Sequence, residues 1–252
     1  MSVFARFRAI EEKDKAAVVR KLMENSTPNF DFYYLTGLSI LMATFGLLMD
    51  STSIVIGSML IAPLLYPILG VALGLTMSNF TVFNRSMLTL LNSLIIGLVL
   101  AGGAALLFGD GTLTNEILLR TEPSLIHFLV AVVAGAAVSF ALAQPEWSET
   151  LPGIAISVAL IPPLAVLGIG VAYLDLNIIS GSIVILLMNL AGIMFAAMVS
   201  FSLMNLYEKQ NIATSTIKRQ EEKTLKEKEA MLEVLEQEVK ADKKEVDKIV
   251  DN

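Results

Sequence analysis

The stretch from Ser51 to Met77, STSIVIGSMLIAPLLYPILGVALGLTM, decides how the rest of the chain is interpreted. It has no charged side chain, and an apolar run of this length belongs in a lipid bilayer. It also contains Pro63 and Pro67, and each proline removes a backbone donor and strains the helix that holds it. Carbonyls freed in this way must find partners in protein or in a water-lined cavity. The stretch therefore predicts a transmembrane helix that is interrupted.

Charge is distributed very unevenly along the 252 residues. Of the 18 lysines and arginines, six precede Asp31, ten follow Leu206, and only Arg85 and Arg120 lie between them. This asymmetry predicts three domains: an amphipathic N-terminal helix over 1–30, a transmembrane domain over 31–205, and a coiled-coil or amphipathic helix over 206–252. The N-terminal helix is expected either to lie on the bilayer surface or to pack on its own protein.

Six apolar runs follow one another in the transmembrane domain, and all are long enough to span a hydrocarbon core of about 30 Å. They cover residues 32–49, 51–77, 87–108, 124–143, 150–174 and 178–204. The second and fifth runs are longer than a single span requires, since 27 helical residues reach ~40 Å. These runs must therefore tilt, break or re-enter the membrane. The expected fold class is an all-α polytopic membrane protein with about six transmembrane helices. The Lys/Arg bias places both termini in the cytoplasm.

The fifth run repeats the unusual features of the second, because it contains the adjacent prolines Pro162 and Pro163. A shift of 99 residues superimposes three pairs of similar residues: Ser58 and Ser157, Pro63 and Pro162, Asp50 and Glu149. A unit of three spans repeated once gives two halves of opposite orientation, because three is odd. The sequence therefore predicts a 3+3 inverted repeat with broken second and fifth helices, an arrangement that points to a binding site near the midplane.

The candidate pathway residues are the prolines, the hydroxyls near them and two amides within apolar runs: Ser58, Pro63, Pro67, Ser157, Pro162, Pro163, Asn92 and Asn189. Free carbonyls and hydroxyls suit a hard cation or a polar solute. The alternative is a packing kink in which serine bonds back to its own helix, with the amides bonding across helices. Asp50 and Glu149 are expected either to cap the helices that follow them or to form an entrance ring in an oligomer. The sequence does not indicate whether a metal binds. His127 is the only histidine, so a histidine-rich metal site is not possible.

Small residues and a heptad pattern predict contacts between helices and between protomers. Gly70 and Gly74 form a GxxxG motif, and small residues recur as stripes at Ala131, Gly135 and Ser139 and at Gly192, Ala196 and Ser200. In the tail, apolar residues fall at the a and d positions of four heptads: Leu225, Leu232, Leu235, Val239, Val246 and Ile249. A homo-oligomer joined by small-residue faces and by residues 217–250 is expected. The alternative for the tail is a solvated amphipathic helix.

Several functional classes are disfavoured by the sequence. It contains no nucleotide-binding loop, no catalytic Ser-His-Asp order and no HExxH motif, so neither an enzyme nor a cofactor is expected. The mixed-sign, slightly acidic tail argues against nucleic acid as a partner. Membrane lipids are the expected surroundings, and the absence of cysteine excludes disulfides.

Two long motifs resemble those of a prokaryotic membrane protein family known as domain of unknown function 389. The first is ATFGLLMDSTSIVIGSMLIAPLLYPI over 43–68. The second comprises RTEP at 120–123, AVVAGAAVSFALA at 131–143, GIAISVALIPPLAVLGIGVA at 153–172 and Asn189. The resemblance covers roughly residues 30 to 205 and implies a multi-pass protein of the prokaryotic cytoplasmic (inner) membrane. It implies no substrate.

Two functions are consistent with these features. The first is an oligomeric transporter or channel for ions or small polar solutes that pass the broken helices. The second is a non-transporting membrane scaffold or sensor that recruits a partner through its coiled-coil tail.

Overall fold

The computed structural model describes residues 11–26, 28–142 and 151–250, and side chains at 151–159, 228 and 233–250 are outside the description. Every secondary-structure element among these residues is helical. In chain order the helices are α1 (Glu12–Asn25), α2 (Phe30–Leu48), α3 (Thr52–Met59), α4 (Leu65–Thr76), α5 (Phe80–Phe108), α6 (Asn115–Leu118), α7 (Leu125–Leu142), α8 (Leu151–Tyr173), α9 (Leu176–Leu203) and α10 (Gln210–Val250). A 3₁₀ turn, Leu206–Lys209, joins α9 to α10.

Four of the described helices, α2, α5, α7 and α9, are long and apolar enough to cross a membrane. Shorter apolar segments lie at Leu65–Thr76 and Leu160–Tyr173. Many large apolar side chains of α5 and α7 face outward, as expected where lipid is the solvent. The helices indicate a membrane protein, as the sequence predicted.

The bundle has two ends that are recognisable by their contacts. At the tail end, α1 packs against α4 and α10, and Asn79 Nδ2 donates to Thr214 Oγ1 of α10 (3.2 Å). At the loop end, the segment between α5 and α7 contacts the start of the second run, since Glu116 N donates to Asp50 Oδ1 (2.9 Å). A Cβ atom on Gly181 of α9 would clash with Thr121 O, which also places the start of α9 at the loop end.

Helix α1 packs on its own protein through one buried apolar face. The buried residues of this face are Val18, Val19, Leu22 and Met23. At its C-terminus Ser26 Oγ donates to Tyr66 O (3.0 Å), and Thr89 Oγ1 donates to Ser26 O (3.3 Å). Of the two sequence-based alternatives for the N-terminal segment, these contacts correspond to packing within the protein.

Three corners between helices share one construction. In each, a glycine carbonyl accepts from the backbone N–H five residues later, and the fourth residue after the glycine has positive φ. The glycines are Gly46, Gly74 and Gly170, with φ of 51° at Asp50, 50° at Ser78 and 56° at Leu174. The chain then turns so tightly that the backbone N–H nine residues on lies against the glycine. A Cβ atom would lie 2.9 Å from Val55 N, 2.5 Å from Phe83 N and 3.1 Å from Ile179 N, respectively.

Small residues also set the closest helix crossings. A Cβ atom on Gly168 of α8 would lie 3.0 Å from Gly102 N of α5. Gly135 of α7 faces Ile193 O of α9, where a Cβ atom would lie at 2.8 Å. The stripes predicted on α7 and α9 thus meet each other within one protomer, and assembly of protomers stays a prediction.

The tail helix α10 is partly buried near its start and exposed farther along. Ala213, Thr216 and Ile217 are buried near its start, where it packs on α1. Farther along, the apolar side chains of Leu225, Met231 and Leu232 are exposed.

Replacing Gly74 by alanine should destabilise the protein, because its Cβ would lie 2.5 Å from the backbone nitrogen of Phe83 and one helix must move. Overpacking of this kind costs about 1–3 kcal/mol. Gly103→Ala is the matched control, since a Cβ atom there meets nothing within 4 Å. Thermal unfolding in detergent should show a lower Tm for Gly74→Ala and an equal or higher Tm for Gly103→Ala. Equal Tm values for the two variants would contradict the tight corner.

The contact of α1 with the tail should weaken in acid. Hydrogen bonds from Lys15 and Lys209 lower the pKa of Glu12 from 4.5 to about 2. A carboxyl with a lowered pKa adds stability above its ordinary value, and this stability is lost as the pH falls towards 2. The protection factors of α1 amides, which correct for the intrinsic pH dependence of hydrogen exchange, should therefore decrease between about pH 4.5 and 2, and this step should be smaller in Glu12→Gln. In Glu11→Gln, which alters an exposed neighbouring carboxyl, the step should remain.

Candidate functional site

The second apolar run is interrupted at residues 60–64. Helix α3 ends at Met59, and Leu60 N and Ile61 N donate to the carbonyls of Gly57 and Ser58 (3.2 Å each). Pro63 has no N–H to continue the helix, and it disfavours helical geometry at the preceding residue. Helix α4 begins at Leu65.

Pro67, Pro162 and Pro163 do not interrupt a helix, and here the structure corrects the sequence-based expectation. Pro67 is the third residue of α4, where a backbone N–H has no partner within the helix, so its absence costs little. Pro162 and Pro163 lie inside α8, which runs without a break from Leu151 to Tyr173. Both prolines are buried, and α8 packs against six other helices. This packing holds the helical geometry despite two missing donors.

Ser58 lies one residue before the end of α3 and is fully buried. Its hydroxyl donates to Val55 O (2.6 Å), and its carbonyl accepts from Ser39 Oγ of α2 (2.6 Å). Ser39 is not among the residues predicted from the sequence. The sequence feature that could have indicated Ser39 is a hydroxyl in the middle of an apolar helix. Several other serines share this feature and bond only to their own helix, so it does not distinguish Ser39. The break is thus bounded by a hydrogen bond between two helices.

Asn92 and Asn189 do not lie at equivalent places. Asn189 is buried on the inner face of α9. Asn92 is on the outer face of α5, where it lines a cavity with Arg85, and the buried position beside it is Ser93. A lining role shared by the two asparagines is therefore not supported.

Asp50 caps a helix, though not the one expected. Its carboxylate accepts from Glu116 N (2.9 Å) and Asn115 Nδ2 (3.1 Å), and it thereby caps the short helix α6. The residue before α3 is Ser51, which makes no side-chain capping bond. The positive φ of Asp50 directs its side chain away from α3 and towards the loop end.

Glu116 makes this loop-end contact a polar cluster. Its side chain is mostly buried and accepts from Thr52 Oγ1 (2.5 Å) and Arg120 Nη1 (2.7 Å). Thr114 Oγ1 donates to Leu47 O (2.7 Å). The cluster joins the corner after α2 to the connection between α5 and α7. Sequence reasoning missed it because its members are more than 60 residues apart.

Two predicted positions fall outside what is described: Glu149 entirely, and Ser157 in its side chain, although its backbone belongs to α8. His127 Nδ1 accepts from Ser124 N (3.2 Å) at the start of α7. Among the described residues, no group of three His, Cys, Asp or Glu side chains could hold a metal ion.

Comparison with known proteins gives a match to a family model and to a related archaeal protein. The family model described as Domain of unknown function (DUF389) matches residues 59–195, which is more than half of the chain. An uncharacterized protein of Methanocaldococcus jannaschii is 30% identical over 167 residues. That alignment covers 66% of this chain and 51% of the archaeal protein, so the chain spans about half the length of that relative. No solved structure matches.

The matched region begins at Met59, beside the break in the second run, and ends within α9. It therefore contains the break and the prolines of α8. On this match, the chain belongs to the DUF389 family.

Proposed function

We propose that this chain is a transport protein of the prokaryotic cytoplasmic membrane, built from two inverted units of three spans, with both termini in the cytoplasm. Ions or small polar solutes would pass beside the break at 60–64. One observation carries the proposal: the second run is broken, while its counterpart in the second unit, α8, is continuous although it contains two prolines.

The corners support the repeat and give its register. A shift of 96 residues places the corner at Gly74, Ser78 and Asn79 on that at Gly170, Leu174 and Asp175. Asn79 and Asp175 both cap the next helix, accepting from Val82 N (3.1 Å) and Ile178 N (3.2 Å). The same shift superimposes Pro67 on Pro163.

The buried faces of α5 and α9 follow the same shift. Nine residues of α5 are buried: Val82, Ser86, Thr89, Leu90, Ser93, Gly97, Ala101, Ala104 and Ala105. The residues 96 positions later are all buried in α9: Ile178, Ser182, Ile185, Leu186, Asn189, Ile193, Ala197, Ser200 and Phe201. Packing partners also correspond, because α5 contacts α8 of the other unit and α9 contacts α4.

The two equivalent corners lie at opposite ends of the bundle, which supports inversion. Asn79 contacts Thr214 of the tail helix. Tyr173, beside the second corner, lies against Gly109 of the loop-end segment, where a Cβ atom would clash with the Tyr173 hydroxyl. In this arrangement α2, α3–α4 and α5 form one unit, and α7, α8 and α9 form the other.

The asymmetry is what alternating access requires. When two units of related sequence adopt different conformations, exchange of those conformations moves a central site from one side of the membrane to the other. The broken run offers carbonyls and hydroxyls but no charged side chain, since the described residues 51–77 contain none. Such a lining suits small polar solutes or weakly held ions.

The proposal predicts water at the break, and the absence of cysteine makes this measurable without background labelling. Ile61 at the break and Ile95 in mid-α5 are both exposed on the protomer, at 36% and 59%. In native membranes, Ile61→Cys should react with a charged methanethiosulfonate reagent and Ile95→Cys should not. The physical reason is that thiolate forms in water and not in lipid. Equal reaction of both variants after unfolding in sodium dodecyl sulfate controls for the amount of protein, and an unchanged Tm in detergent controls for folding.

The same pair of variants tests transport. In vesicles containing the full chain, treatment with the charged reagent should lower the swelling rate of Ile61→Cys in small polyols and monovalent salts. The same treatment should leave the swelling rate of Ile95→Cys unchanged, because that variant does not react. Absence of labelling at position 61 from either face, or swelling equal to that of empty vesicles, would remove the transport proposal.

The tail favours a second role, in assembly or partner recruitment. Leu225 and Leu232 occupy successive a positions and are 58% and 60% exposed, so the described part of the seam is unpartnered within the protomer. A second copy is the partner proposed here, since the heptads continue to Val246. A scaffold would use the same seam for a different protein.

Leu225→Asp with Leu232→Asp should dissociate the oligomer, because charges at a positions oppose a coiled-coil seam. Lys226→Asp, on the outer side of the same helix, is the control. The mass in detergent, measured by light scattering, should fall to that of one protomer only in the double variant. Unchanged labelling at Ile61→Cys in that variant would favour transport over a scaffold. If the double variant had the same mass in detergent as the wild type, the proposed coiled-coil contact between protomers would be refuted.

A further inference from the structure

A cavity of about 410 Å³ lies at the tail end on the outer surface of α5. Its lining combines apolar, amide, hydroxyl and charged side chains: Pro28, Phe80, Thr81, Asn84, Arg85, Leu88, Thr89, Asn92 and Glu221. Glu221 belongs to the tail helix, so the cavity is closed on one side by α10. Of the pathway candidates chosen from the sequence, Asn92 lines the cavity, and none of those near the break contributes to it.

Two opposite charges with spare hydrogen-bonding capacity meet in this cavity. Arg85 Nη1 donates to Glu221 Oε1. Arg85 Nε is buried and has no hydrogen-bond partner among the described residues. A guanidinium has five donors, and a carboxylate accepts up to about four bonds, so one ion pair leaves both groups largely unsatisfied. The side chains of Arg85 and Glu221 are 26% and 51% exposed, so an entering molecule can reach both.

With α5 centred in a bilayer, Arg85 lies at the boundary between the headgroup layer and the hydrocarbon core. It lies five residues from the start of the 29-residue helix α5, or ~8 Å along the axis. A helix of that length reaches ~44 Å and therefore extends through the polar layers on both sides of a hydrocarbon core of about 30 Å.

An apolar stripe continues from the cavity towards the middle of the membrane. Leu88, Leu91, Ile95 and Val99 follow one another at helical spacing, and all four are exposed. Acyl chains would lie along this stripe when a headgroup occupies the cavity. A soluble phosphate compound would leave the stripe unused.

We propose that this cavity binds a zwitterionic phospholipid whose headgroup carries a primary ammonium, such as phosphatidylethanolamine. The phosphate diester accepts from Arg85, and the ammonium donates to Glu221. Because the lipid brings one negative and one positive charge, it adds partners to both side chains without breaking their ion pair. This site is independent of the proposed transport pathway.

Headgroup chemistry separates this lipid from the alternatives. The phosphate of phosphatidylglycerol also suits Arg85, but that lipid has no cation to offset Glu221. Phosphatidylcholine has a quaternary ammonium, which cannot donate a hydrogen bond. Charge-assisted hydrogen bonds favour the primary ammonium. We therefore expect phosphatidylethanolamine to bind about tenfold more tightly than the other two lipids.

Native mass spectrometry of the full chain in detergent, titrated with each of the three lipids, tests the site. Wild type should retain phosphatidylethanolamine about tenfold better than the other two. Glu221→Gln should remove the preference over phosphatidylcholine and strengthen phosphatidylglycerol. Glu222→Gln, an exposed neighbour that does not line the cavity, should behave as wild type. Arg85→Gln should weaken retention of all three lipids.

The Glu221→Gln result stands even if Arg85→Gln does not fold, since Glu221 is on the surface of the tail. Equal retention of the three lipids by wild type, or unchanged ratios in Glu221→Gln, would overturn the proposal. Soluble phosphoethanolamine tests whether the headgroup alone, without acyl chains, binds as well as the lipid. Displacement of the lipid by an equal concentration of phosphoethanolamine would show that the acyl stripe is not used, and would overturn it as well.

Discussion

A backbone group inside a membrane must bond to protein or to water in a protein-lined cavity, and this constraint applies to the break at residues 60–64. Leu60 and Ile61 turn their N–H groups back to α3, and Ser39 supplies a hydroxyl to the carbonyl of Ser58. That bond requires α2 and α3 to lie in close contact. The corner at Gly46 makes the contact possible, because any side chain there would collide with Val55 of α3.

Close packing also replaces the hydrophobic effect, which gives little drive for helix association in lipid. Gly97 of α5 faces Ile40 of α2, and Gly135 of α7 faces Ile193 of α9. One glycine in each crossing is enough for the two helices to approach closely.

The sequence was sufficient for the apolar helices and for the interruption at Pro63, because length, charge and a missing N–H act locally. It was insufficient for the register of the proposed repeat. Aligning Pro63 with Pro162 suggested a shift of 99, whereas corners and buried faces follow a shift of 96, which pairs Pro67 with Pro163. A proline in the first turn of a helix and one in its interior look alike in sequence but differ in backbone role.

Tertiary contacts limited the prediction of the site in the same way. Asp50 precedes α3 and has the residue type of an N-cap, yet its positive φ and its partner Glu116 depend on a loop 66 residues away. Asn92 and Asn189 are both amides in apolar helices, and only packing decides that one faces outward and the other inward. Polar residue types could therefore be chosen from the sequence, whereas their directions could not.

The contrast between the second run and α8 bears on energetics as well as on topology. A proline inside a helix costs about 3 kcal/mol or more, and α8 keeps its geometry because six helices surround it. The second run avoids that cost by ending α3 before Pro63 and starting α4 so that Pro67 falls in its first turn. The second run and α8 thus accommodate their prolines in two different ways, and their packing differs accordingly. In the proposed transport cycle the two runs exchange these forms, and a bound solute can shift such an equilibrium only by its differential affinity for the two forms.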